Sequence, residues 1–211
     1  MRVGGRRLLA VLAGGVVLAG GGVTTLAAWQ DQTYDRAPLT LSKFNVQQTV
    51  DPSMADAGFV EAEDPTAPTD LALKVGSVPG TLLSPDTAST GWVGLRVDAG
   101  SVGGTVKLEG ATVGADPKGL APQLQYQAVS GVTEATCRSG VLSAGSSLVA
   151  DGSSLTTGSG SASFHLDAGT NGAAGPVVGV CVKLSLRSTI TRALSGSTVS
   201  PVWKFSATSD S

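Results

Sequence analysis

Beyond residue 29 the apolar positions of the chain recur with period two. Leu71, Leu73 and Val75 alternate in "LALKVG", and Val93, Leu95 and Val97 do so in "GWVGLRVDAG". Val106 and Leu108 follow in "TVKLEG", Leu124, Tyr126 and Ala128 in "QLQYQAV", and Ala162, Phe164 and Leu166 in "SASFHLD". The longest run is "PVVGVCVKLSLRS", in which Val178, Val180, Val182, Leu184 and Leu186 share one face. Alternation of this kind describes strands with one face on a core, and almost no segment shows the 3.6-residue period of a helix. The connections, such as "VPGTLLSPDTASTG" and "DAGTNGAAGP", are rich in Gly, Pro, Asp and Ser, the residues of turns. The pattern predicts an all-β fold, a single antiparallel β-sandwich of jelly-roll or immunoglobulin-like type. Trp203, Phe205 and Ala207 alternate in the closing strand and are assigned to core packing. One helical turn is expected inside "SGVLSAGSSLVADG", Ser139 to Gly152.

The first 28 residues follow a different rule. Arg2, Arg6 and Arg7 precede an uncharged run from Leu8 to Ala28, which is long enough to cross a bilayer as a helix. Gly14, Gly15, Gly20, Gly21 and Gly22 interrupt it, each weakening a helix by about 1 kcal/mol relative to Ala. It ends in Leu26-Ala27-Ala28, the small-residue exit that signal peptidases accept. The expected organisation is a signal helix at 1–28 and an N-terminal extended segment or first strand at 29–50. An acidic, Pro-rich loop at 51–70, read as mobile, and the sandwich domain at 71–211 complete it. An uncleaved leader acting as a membrane anchor is the alternative, and it would be the only contact with a membrane.

Cleavage after Ala28 changes the charge. All 16 acidic residues lie beyond that point, and three of the 14 basic ones lie before it, so the mature chain carries 11 basic and 16 acidic residues, a net −5. The remaining Lys and Arg are scattered singly, which gives no basic footprint for nucleic acid. In an exported chain the two cysteines, Cys137 and Cys181, read as a structural disulfide. The loop between them corresponds to roughly 4 kcal/mol of stabilisation in the chain-entropy account. Cys181 falls on the opposite phase from Val180 and Val182, so the bridge is expected on the outer side or edge of the sheet, away from the main core.

No constellation for catalysis stands out. His165 is the single histidine of the chain and sits on the polar phase of a strand, which leaves no zinc-ligand set. There is no G-x-S-x-G, no EF-hand spacing around Glu61, Glu63 and Asp64, and no helix after "GSVGG" to cradle a phosphate. The reading is a non-enzyme with no catalytic, cofactor or metal residues and no cofactor.

The junction "GGGVTTLAAWQDQTYDRAPLTLSKFNVQ" resembles that of the TasA/CalY (camelysin) family of exported proteins, whose leader is removed by a dedicated SipW-type signal peptidase. Gly20-Gly21-Gly22, Ala27-Ala28, Trp29, Asp31 and the extended run Leu39 to Val50 carry the resemblance. It implies cleavage between Ala28 and Trp29, a jelly-roll-like sandwich, and a signal peptidase as a partner during export. It also implies a structural role, with subunits assembling into fibres or surface layers, alone or with a companion surface protein. The route would be strand addition, with Leu39, Leu41, Phe44 and Val46 in the candidate donor strand. The break in phase between Leu39/Leu41 and Phe44/Val46 suggests a bulge or two pieces. The same residues would serve equally well as the first strand of their own sandwich.

The leading expectation is thus a secreted, non-catalytic structural protein of the cell surface or extracellular matrix. A monomeric surface binding module or adhesin is the second reading. A camelysin-like metallopeptidase, the third, is disfavoured by the missing zinc ligands.

Overall fold

The computed structural model describes residues 43–210 except 54–57, 65–66, 68–69, 72, 76–77, 80–86, 161 and 189–193. The expected leader, the cleavage pair Ala28 and Trp29, and Leu39 and Leu41 lie outside the described residues. Among the described residues no helix is long and apolar enough to cross a membrane.

The chain is an all-β sandwich of two antiparallel sheets. In order, the strands are β1 (Val46–Thr49), β2 (Lys74–Val75), β3 (Val78–Pro79), β4 (Ser89–Val97), β5 (Gly104–Val113), β6 (Leu124–Ser130), β7 (Ser146–Ser154), β8 (Ser163–Leu166), β9 (Val178–Leu186) and β10 (Pro201–Ser209). The larger sheet runs β3-β2-β4-β9-β6-β7, with β1 also on β4, and the smaller one runs β10-β5-β8. β1 and β2 share one edge of β4: β2 meets Thr90, and β1 pairs from Gly94 to Val97.

The period-two residues meet between the sheets. Val93, Leu95 and Val97 of β4, Val180, Val182 and Leu184 of β9, and Leu124 and Tyr126 of β6 are buried against Val106, Leu108 and Leu166 of the smaller sheet. Burial of each Val or Leu contributes about 1.5–3 kcal/mol, so this alternation is the main reason the chain takes the fold.

Two local expectations are corrected. The helical turn is not within Ser139–Gly152, half of which forms β7. It lies just before, in α1 (Glu134–Ser139), because the stop and start signals sit there. The Thr133 hydroxyl accepts from the Thr136 amide, and Gly140, with φ of 70°, closes the helix in the left-handed conformation. In β10, Trp203 and Phe205 pack on the core, but Ala207 is exposed. The register slips between Lys204 and Phe205, opposite Gly110, whose φ of 117° shifts the alternation of β5. Within the acidic loop, Val60 exchanges backbone hydrogen bonds of 2.8 and 2.9 Å with Gln48 of β1.

Candidate binding groove on the outer face of the larger sheet

A core on one face of β4 would leave the other face polar, yet every residue of β4 is buried. Its outward positions are Trp92, Gly94 and Arg96. In register, Trp92 faces Cys181 and Gly94 faces Gly179 of β9, so a bulky indole stands beside two positions without side chains. The ring occupies that space. A Cβ on Gly94 would lie 2.6 Å from the indole Cη2, and one on Gly179 would lie 2.3 Å from Nε1. The indole N–H donates to the carbonyl of Val132 at 3.0 Å, which satisfies its polar end under cover.

α1 closes over this ring. Cys137, on the helix, is bonded to Cys181 with a Cα–Cα distance of 5.4 Å, and the bond lies on the outer face, where the polar phase of Cys181 placed it. Trp92, Val129, Val132, Cys137, Leu142 and Cys181 form a second small core. Glu134 and Arg138 pair across one helical turn, an arrangement that also suits the helix dipole.

Toward the other end of β4 the cover is an arm made of β1 and the return through Phe59 and Val60. Arg96 is 6% exposed. Its guanidinium lies 3.8 Å from the centroid of the Phe59 ring, and its Nη2 donates to Gln47 Oε1 at 3.3 Å. Stacking thus covers a cation on the outer face of β4.

Between helix and arm a groove of about 440 Å³ remains open. Trp92 and Gly179 border it, as do Phe59 and Pro52 from the arm, Val132 and Val177, and the acidic residues Asp51 and Glu134. Asp51 also accepts from the amide and hydroxyl of Ser53, at 2.9 and 2.6 Å, which fixes the turn at the rim. Among the described residues of the lining there is no Lys, Arg or His. Val177 is 46% exposed and Val60, next to Phe59, 47% exposed, two of the large apolar side chains that the surface leaves open.

No model of a known protein family matches the chain, and no curated protein matches it significantly.

The residues named from sequence distribute as follows. Cys137 and Cys181 are brought together. Phe44 and Val46 pack against the core of their own sandwich, Val46 opposite Val97 and Phe44 over Gly104. His165 is half-exposed, 3.4 Å from Asp167 and 3.5 Å from Asp210. Among the described residues, no group of three or more His, Cys, Asp or Glu is arranged to hold a metal ion.

The groove itself was missed. A signal existed: Trp92 and Cys181 both occupy the polar phase of otherwise alternating strands, and a Trp on that phase followed by Gly94 marks a covered outer face.

Proposed function

We propose that the protein is an exported, non-catalytic structural subunit of the cell surface or extracellular matrix that assembles through its N-terminal strand. The placement of β1 carries this reading. It lies on the edge of β4 through four register pairs, and the arm it forms with Phe59 and Val60 is tied to the sandwich through residues 61–70. An edge strand makes the same backbone bonds whether its own chain or a neighbour supplies it, so exchange conserves the pairing and the core contact of Val46. Leu71 and Leu73 pack on the core, so the stretch that leads from the arm to the sandwich is residues 61–70, which spans up to roughly 35 Å when extended. The resemblance to the TasA/CalY family supports the same reading and implies a mature N-terminus at Trp29, ahead of Leu39 and Leu41. The disulfide fits an oxidising, extracellular setting.

The test is a cross-link between register partners. The amide of Asp98 donates to the carbonyl of Asn45, so Val46 and Val97, one step on, form the close, non-hydrogen-bonded type of pair. A chain beginning at Trp29 with Val46→Cys and Val97→Cys is expected to give ladders of covalent oligomers on non-reducing gels and filaments by electron microscopy. A chain beginning at residue 52 is expected to stay monomeric. Only intrachain bonds, with both chains monomeric, would refute strand exchange.

The second reading, a monomeric binding module, is favoured by the groove beside Trp92 and Phe59.

A further inference from the structure

The groove combines an apolar floor with a lining whose charged residues, among those described, are acidic. Trp92, Phe59, Val132 and Val177 supply the apolar surface, while Asp51 and Glu134 are the charged groups of the lining. Arg138 balances part of the Glu134 charge from outside the lining, and Arg96 lies against Phe59. The run that delivers Phe59 continues into Glu61, Glu63 and Asp64, all exposed, so the surroundings on the arm side are acidic as well. A second copy of this chain, with a net −5 beyond residue 28, is a poor electrostatic match for such a rim.

We propose that this groove docks a basic, extended segment of a partner polypeptide. One apolar side chain seats between Phe59, Val177 and the edge of Trp92, and Lys or Arg residues on either side of it meet Asp51 and Glu134. The volume suits one or two side chains, and apolar burial with flanking ion pairs is how short segments gain both affinity and register. Thr49, Asp51, Pro52 and Phe59 belong to the arm that strand exchange would pass to a neighbour, and an exchanged arm in the same register would rebuild the same groove, so the inference requires neither outcome.

The experiment is calorimetric titration of the full chain with three synthetic nonapeptides: a central Leu flanked by two Lys on each side, the same peptide with Glu for Lys, and the Lys peptide with Ser for Leu. The Lys–Leu peptide is expected to bind about tenfold or more tightly than either control and to weaken in 0.5 M salt. Val177→Ser and Asp51→Asn are each expected to lower its affinity several-fold. Val177 is half-exposed, so Val177→Ser should leave the unfolding midpoint unchanged and separate lost docking from lost fold. Equal binding of the Lys and Glu peptides, no binding of the Lys–Leu peptide at millimolar concentration, or indifference to both substitutions would overturn the proposal. Self-association of the chain that Val177→Ser abolishes would overturn it too, by giving the groove to a second copy.

Discussion

Trp92 and Gly179 compete for one volume: a methyl group on Gly179 would stand 2.3 Å from the indole Nε1 and 2.1 Å from the carbonyl of Val132 that accepts its proton. The glycine is therefore the seat of the tryptophan. Gly179→Ala forces the ring and α1 outward, an overpacking expected to cost about 1–3 kcal/mol. Adding Trp92→Phe, which removes the indole N–H and part of the ring, should recover some of that loss. The double substitution is expected to be less destabilising than the sum of the single ones in urea unfolding. Strict additivity would show that ring and glycine do not share the space.

The inner core was legible from sequence because period two is a direct consequence of strand geometry. Val93, Leu95, Val97 and the five apolar residues from Val178 to Leu186 needed only that rule. The outer core was not, since it depends on which residues pair across strands. Gly94 and Gly179 read as loss of a side chain in each strand alone, and become a seat for Trp92 only once register sets them opposite each other. Phe59 is hidden for the same reason. Nothing local predicts that an aromatic ring in an acidic, Pro-containing segment will stack on Arg96 of a strand nearly forty residues later. The helix ends where "SGVLSAG" begins, because its caps fix it: the Thr133 hydroxyl starts it and Gly140, the second residue of that stretch, stops it.

The disulfide joins a six-residue helix to the central sheet, and a helix that short does not persist alone. Cys137 and Cys181 are 1% and 0% exposed, so a reductant reaches them only when the helix opens. Removal of the bridge by Cys137→Ala with Cys181→Ala is expected to cost about 2–5 kcal/mol in chemical unfolding. The sandwich core should survive, because its apolar contacts lie on the opposite face. Hydrogen exchange should then show loss of protection concentrated in residues 133–142. An equal loss across β5 and β8 would contradict the division into two cores.

Acid should loosen the arm where the chain enters β1. The hydrogen bond from Lys43 holds the Asp98 carboxyl below its ordinary value of 3.8, with a further contribution from the Ala99 amide. On the smaller sheet the Ser206 hydroxyl does the same for Glu109, linking β10 to β5. A carboxyl that is more acidic in the folded chain leaves the unfolded chain to take up the proton first. Its contribution is thus complete above the ordinary carboxylate value and is lost as pH falls through the depressed one. Asp98→Asn removes one such group, so the variant is expected to be less stable than the parent at neutral pH and to converge on it below about pH 4. Both groups face solvent, so the gap is small and should shrink further in high salt. Urea midpoints measured from pH 7 to pH 2.5 check this, and curves that remain parallel across the whole range would remove Asp98 from the acid response.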